Sequence, residues 1–283
     1  MLRILFGLAL ICATPAVAQS TLIGSYVWQV DDPLFGGFSG IEVTEDGQGF
    51  IALGDRGTFA VGRFARTNGM ITGITLDDLR LLSGADGLPL PRLESDSEGL
   101  AIGVDGSLYV SFESTSGVRR FSGADQPAGP LLETPAFAQL QKNASLEALA
   151  IAPDGTLFTM PERSGSAMRD FPVFRLKDGV WDQPFTIPRT GPFLVSGADI
   201  GPDGKLYTLE RDFVGVGFRS RVRRFALDGS GEEVLLETGI LTHDNLEGIS
   251  VWQDVQGLRM TLISDDNFRG FQRTEFVEYR LTE

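Results

Sequence analysis

Short apolar runs, each ended by a turn signal, recur along most of the chain. Glu98 to Ile102 predicts a short apolar strand. Val104-Asp105-Gly106 predicts a tight hairpin, because Asp-Gly tolerates the positive φ that such a turn needs. Ser107 to Phe112 predicts the returning strand, with Leu108 and Val110 alternating against Ser107, Tyr109 and Ser111. Gly117 to Phe121 and Pro130 to Glu133 supply two further strands. The same sequence of strands follows through Thr156 to Met160, Pro172 to Leu176 and Trp181 to Ile187. It follows again through Lys205 to Leu209, Arg221 to Leu227 and Glu232 to Leu236.

These units are copies of one repeat. Ser39-Gly40-Ile41, Glu98-Gly99-Leu100, Glu147-Ala148-Leu149, Ser196-Gly197-Ala198 and Glu247-Gly248-Ile249 align without gaps. Each leads to a turn aspartate: Asp46, Asp105, Asp154, Asp203 and Asp254. Those aspartates lie 59, 49, 49 and 51 residues apart. A period near fifty is that of a four-stranded propeller blade. The fold class is therefore all-β, a β-propeller with five blades by repeat count. A sixth hidden in Ser83 to Ser97 is the alternative. A two-sheet sandwich would not explain the period. The fifth repeat has only Met260 to Ser264 and Glu275 to Leu281 after its first strand. Thr21 to Val30 offers the missing outer strand, and pairing it beside the C-terminal strand closes the ring and hides the sheet edges.

Composition changes this picture in three ways. Arg3, the apolar run Ile4 to Ala13 and the small-x-small site Ala16-Val17-Ala18 predict a secretory signal peptide over 1–18, with cleavage near Ala18-Gln19. Residues 19–283 then form one domain, expected in the periplasm or outside the cell. No later stretch is apolar enough to span a bilayer. Cys12, the one cysteine, lies within the leader, which excludes disulfides, cysteine-held metals and thiol nucleophiles from the mature domain. The formal charge of −14 repels nucleic acid and anionic membranes and suits a cation or a cationic ligand.

Propeller geometry decides where the acids gather. The first strand of each blade lines the central axis, starts at one face and turns at the other. Glu98, Glu147 and Glu247 then stand at one mouth, with Ser39 and Ser196 in the other two blades. Second-strand ends bring Asp55, Glu113, Glu162, Glu210 and the run Asp265-Asp266-Asn267 to the same mouth. Asp96, Asn143, Asp244 and Asn245 join from loops. Such crowding requires compensation. A hard cation held by Glu98, Glu147, Glu247, Asp265, Asp266 and Asn267 is one answer, with calcium the expected ion and another divalent cation the alternative. Arginine is the other, through Asp55-Arg56, Glu162-Arg163 and Glu210-Arg211. Asp55, Arg56, Arg163 and the sole histidine, His243, are the candidate catalytic groups. No nucleophile elbow, phosphate-cradling loop or zinc helix motif occurs.

Several of these segments together resemble the "esterase-like activity of phytase" family. They are Ala52-Leu53-Gly54-Asp55-Arg56-Gly57, Asp96-Ser97-Glu98-Gly99-Leu100, Val110-Ser111-Phe112-Glu113, Leu146-Glu147-Ala148-Leu149 with Pro161-Glu162, and Leu246-Glu247-Gly248-Ile249 with Ile263-Ser264-Asp265-Asp266-Asn267-Phe268. The Glu-Gly strand starts are also similar to gluconolactonase-type propellers. The resemblance implies ester or phosphoester hydrolysis with a divalent cation at the channel. A small-molecule substrate and a monomeric state are expected. The alternative is a propeller that binds a ligand or cation at the same face without catalysis.

Overall fold

The computed structural model describes residues 20–141 and 145–282; the leader over 1–18 and Asn143 lie outside them. Among the described residues no helix is long and apolar enough to cross a membrane. The chain opens with β1 (Ser20–Val27). Blade 1 comprises β2 (Phe38–Val43), β3 (Gly49–Gly54), β4 (Thr58–Thr67) and β5 (Met70–Leu81). Blade 2 comprises β6 (Ser97–Ile102), β7 (Leu108–Phe112), β8 (Gly117–Phe121) and β9 (Ala128–Leu132). Blade 3 comprises β10 (Leu146–Ile151), β11 (Leu157–Pro161), β12 (Phe171–Lys177) and β13 (Val180–Ile187). Blade 4 comprises β14 (Leu194–Ile200), β15 (Leu206–Phe213), β16 (Phe218–Phe225) and β17 (Glu233–Glu237). Blade 5 comprises β18 (Asn245–Asp254), β19 (Gly257–Asp265) and β20 (Glu275–Leu281), with β1 as its outer strand.

Five four-stranded antiparallel sheets therefore make a five-bladed β-propeller. The segment that offered room for a sixth blade holds only a Ser83–Pro89 bridge and a single 3-10 turn at Arg92–Glu94. Ring closure is the pairing of β1 with β20, from Ser20 opposite Leu281 to Val27 opposite Glu275. Trp28, next in the chain, then enters the seam between blades 5 and 1. It stacks on Phe38 at 5.4 Å and meets Phe35, Phe50 and Phe276 at 4.7, 5.4 and 5.4 Å. Each such ring pair adds about 0.5–1.5 kcal/mol beyond area burial.

The core is divided among the seams between blades. Leu53 and Phe59 meet Leu100, Phe112 and Phe121 between blades 1 and 2. Met160 and Phe171 meet Val195 and Phe225 between blades 3 and 4, and Tyr207 and Val222 meet Leu246 and Leu262 between blades 4 and 5. The turn aspartates do turn work. Oδ1 of Asp46, Asp105, Asp154, Asp203 and Asp254 each accepts the backbone N–H two residues on, at 2.7–3.3 Å.

Around the axis the inner strands β2, β6, β10, β14 and β18 press backbone to backbone. A Cβ on Gly99 would lie 2.7 Å from the Leu149 nitrogen, and one on Gly248 would lie 2.9 Å from the Gly40 carbonyl carbon. The cavity left on the axis is about 10 Å³, room for one water at most. Among the described residues the axis is closed at this level, which leaves the two mouths as the places where a site can form. Gly248→Ala is expected to cost about 2 kcal/mol or more through overpacking, read as a lower urea midpoint at unchanged slope. Gly73→Ala, whose Cβ would meet only the Ala65 Cβ at 3.5 Å, is expected to leave the midpoint unchanged.

Candidate functional site

A β-bulge interrupts every inner strand at the same place. Pairing with the second strand slips between Phe38 and Gly40, Ser97 and Leu100, Leu146 and Ala148, Val195 and Gly197, and Leu246 and Gly248. The residues skipped include Ser39, Glu98, Glu147, Ser196 and Glu247. A bulge re-aims the side chain it frees, and here it does so five times around one mouth. The two serines bind their neighbours: Ser39 Oγ donates to the Ser97 carbonyl at 2.9 Å, and Ser196 Oγ to the Leu246 carbonyl at 3.4 Å. The three glutamates remain as ionisable groups.

The second strands deliver a second set of five. Gly54 pairs with Phe38, Phe112 with Ser97, Pro161 with Leu146, Glu210 with Val195 and Ser264 with Leu246. The next residue in each blade is the one at the mouth: Asp55, Glu113, Glu162, Arg211 and Asp265. Blade 4 thus presents Arg211 where the acid Glu210 was expected. Glu210 is instead fully buried inside the blade, with its Oε2 2.7 Å from Arg221 Nε and its Oε1 2.7 Å from Arg223 Nε. Arg211 leans into the ring. It is ion-paired with Glu247, 3.3 Å from Glu162 Oε1 and 3.1 Å from Asn245 Oδ1.

In the other half of the mouth, Asp96, Glu98 and Glu113 have no ion pair among the described residues. Asp96, Glu98 and Glu113 each offer a carboxylate oxygen, and these lie within 4.8 Å of one another. Burial, reinforced by Glu147 and Glu247, holds the Glu98 carboxyl well above the usual range. Burial raises Glu113 to about 7, with Asp96 and Glu162 adding repulsion. Asp55 is pushed to about 7 by burial against the pull of Arg56, and its Oδ1 is buried without a hydrogen-bond partner. Asp265 rises to about 8, through burial first and Glu247 second. Glu147 and Glu247 are also raised by burial, with Arg211 opposing. An orphaned carboxylate oxygen within a crowd of half-neutralised acids suits an all-oxygen cation site.

Not every residue singled out from sequence reaches this ring. Arg56 is exposed, its guanidinium 3.3 Å from the centre of the Phe268 ring. Arg163 is exposed and donates to its neighbour Glu162 at 2.9 Å. His243 is buried against β20, its Nε2 2.7 Å from the Tyr279 hydroxyl, and burial lowers its pKa. Asp266 Oδ1 accepts from the Gly37 and Phe268 amides at 3.0 Å each, which shapes the loop. Asn267 is exposed, and only its backbone N–H touches the site, at 2.6 Å from Asp265 Oδ1. Of the expected set, the structure brings together Asp55, Glu98, Glu147, Glu247 and Asp265. Spacing could have found Arg211: Glu98 to Glu113, Glu147 to Glu162 and Ser196 to Arg211 are all fifteen residues.

On the Arg211 side the ring opens into a pocket of about 540 Å³ between the β15–β16 hairpin and the β19–β20 loop. At the opposite mouth stands another carboxylate pair, Glu42 and Asp199. Ser250 Oγ donates to Glu42 at 3.3 Å, and the Ile200 amide donates to Asp199 at 2.6 Å.

A family model described as "Phytase-like: Esterase-like activity of phytase" matches residues 33–268. None of the curated proteins compared matches the chain. A luciferin-regenerating enzyme has a similar fold, with TM-score 0.51 and 11% identity over 90% of this chain and 95% of that one. A putative gluconolactonase aligns with TM-score 0.44 and 15% identity over 94% of each chain. Virginiamycin B lyase from Staphylococcus aureus aligns with TM-score 0.45 and 15% identity over 87% and 71%.

The raised carboxyls give stability a definite dependence on pH. Asp55, Glu113 and Asp265 hold protons in the folded chain that they release when unfolded, between about pH 4 and 8. Stability therefore falls as pH rises through that window. Without divalent cations the melting temperature is expected to be higher at pH 5 than at pH 8. Arg211→Met, which removes the cation paired with Glu162 and Glu247, is expected to steepen that fall. Scanning calorimetry at the two pH values checks both.

Proposed function

The chain belongs to the esterase-like activity of phytase family, and from that premise we propose that it is an exported, divalent-cation-dependent hydrolase of an ester or phosphoester, acting at the acidic mouth. The observation that supports this reading best is the Asp96, Glu98 and Glu113 cluster, whose donor oxygens lie within 4.8 Å of one another. Oxygens around a calcium ion at about 2.4 Å cannot be farther apart than about 4.8 Å. Asp96, Glu98 and Glu113 would hold the ion, with Asp55 beside them. Once bound, it would polarise the scissile group and lower the pKa of a water.

The chain's own residues supply the rest. Ionised Asp55, at about 7, would accept the proton lost by the attacking water. Protonated Asp265, at about 8, would give a proton to the departing alcohol oxygen. One proton is gained and one is lost, so the pair ends each turnover reversed and resets through solvent. Arg211, held by Glu162 and Glu247, would orient an anionic substrate at the ring's edge. Arg56 and Arg163 are exposed and held by Phe268 and Glu162, whereas Arg211 bridges Glu162 and Glu247 within the ring, which makes Arg211 the better bet for that role. Export rests on the leader-like residues 1–18.

A second reading keeps the cation and drops the turnover. It is favoured by Arg211 itself, whose pairing with Glu162 and Glu247 already satisfies half of the ring. Calcium titration by calorimetry, run beside a panel of phosphomonoesters, carboxylic esters and lactones, separates the two. The hydrolase reading expects saturable binding, calcium-dependent turnover, and about a hundredfold weaker calcium binding in Glu98→Gln, some 2.7 kcal/mol. Calcium binding without turnover leaves the binding-only reading. No calcium binding, and no loss in Glu98→Gln, sinks both.

A further inference from the structure

The pocket beside Arg211 is built unlike the rest of the acidic face. Its volume of about 540 Å³ is that of a small-molecule site. It is continuous with the ring, because Arg211, Asn245 and Asn267 line both. Its rim gathers large apolar side chains in water: Phe213 is 60% exposed, Leu241 66%, Val216 76% and Phe271 81%. Three separate loops contribute them, so they are a cluster in space and not a run in sequence.

The backbone works to keep them there. Leu241 sits at φ 62, in the left-handed region that costs a branched side chain about 1 kcal/mol or more. Its amide is tied to the Phe218 carbonyl at 2.9 Å, and its side chain lies over Gly217, where any Cβ would collide with it. A loop that spends strain to hold a leucine in water is shaped for something that covers the leucine.

Charge indicates what that something is. Arg269 lines the same pocket and has no ion pair among the described residues; its guanidinium lies over the Phe271 ring, 6.0 Å from the ring centre. Arg273, paired with Glu275 at 3.2 Å, stands in the same wall. An unpaired guanidinium among exposed aromatic and aliphatic side chains fits an anion with an apolar body. A bare polyanion would leave the apolar rim uncovered and face the acidic ring with nothing but charge.

We infer that this pocket seats the organic part of the substrate, an apolar-bodied monoanion whose ester bond reaches the ring past Arg211. The ester half of that statement rests on the hydrolytic reading above; the pocket half does not. The body would cover Phe213, Leu241 and Phe271, and its charge would meet Arg269.

The test is calorimetric titration of the purified chain with 2-naphthalenesulfonate, a non-hydrolysable aryl monoanion, against methanesulfonate, which has the same charge and no body. Saturable binding of the first and none of the second is expected. Phe271→Ser with Leu241→Gly is expected to weaken binding at least tenfold at unchanged melting temperature, since glycine accepts φ 62 and Phe271 is exposed. Arg269→Ala is expected to weaken it as well. No binding to the native chain, or binding indifferent to these changes, overturns the inference. Variant-sensitive binding with no turnover of any ester upholds the pocket and removes the hydrolytic reading alone. Calcium-dependent turnover with no naphthalenesulfonate binding removes the pocket alone.

Discussion

Five inner strands must pack around an axis with almost no space between their backbones. At Gly40, Gly99, Gly197 and Gly248 a methyl group would press on the neighbouring inner strand. That approach fixes where each strand can run, and the bulge beside it fixes where the preceding side chain must go. Ser39, Glu98, Glu147, Ser196 and Glu247 are brought together by this packing and by no attraction among themselves. Indeed three of them repel. The fold buries carboxylates side by side and supplies the rigidity to hold them, and the raised pKa values of Asp55, Glu98 and Asp265 follow from that burial first, with repulsion from neighbouring carboxylates adding to it.

The compensation differs between the two sides of the mouth. Beside blade 4, Arg211 meets Glu162 and Glu247, so that side is balanced within the chain. Beside blade 2, Asp96, Glu98 and Glu113 face one another with no ion pair among the described residues, and their carboxyls are held above the usual range by burial. A proton and a divalent cation then compete for the same oxygens. Any cation bound there would have to release protons, and would bind more strongly where the protons are already weakly held. The fall in stability expected from pH 5 to pH 8 and the cation affinity proposed above would thus be two readings of one excess of charge.

Much of this was legible in the chain. The fifty-residue period, the five blades and the closing strand follow from spacing and from turn aspartates whose chemistry is local. Glu98, Glu147 and Glu247 were legible because every copy of the repeat begins at the same point. Second-strand ends were harder. There an acid and an arginine stand side by side, and only the fifteen-residue spacing shared with Glu113 and Glu162 puts Arg211 at the mouth and Glu210, one residue earlier, in the blade interior. Arg163 pairs with its neighbour Glu162, as adjacency alone suggests, but Phe268 and Tyr279, which hold Arg56 and His243, come from tertiary packing that no local pattern encodes. The apolar rim was invisible for the same reason, since Phe213, Leu241 and Phe271 belong to three different connections.

The asymmetry of the repeat carries the argument one step further. Blades 1 and 4 bear serine at the bulge, and each serine is spent on a neighbouring backbone. The same two blades bear Glu42 and Asp199 three residues on, where blades 2 and 3 have Ala101 and Ala150. Charge along the axis is therefore divided by blade, with acids at one mouth or the other and never at both ends of one inner strand in blades 1 to 4. With the axis closed to about 10 Å³, the two mouths are separate environments. The front mouth is acidic toward blade 2, basic at blade 4, and opens toward an apolar rim beyond it. A molecule crossing it from rim to ring meets apolar surface, then arginine, then a carboxylate cluster suited to a cation. That order matches an ester with an apolar body and an anionic group, and a ring of five identical blades could not produce it.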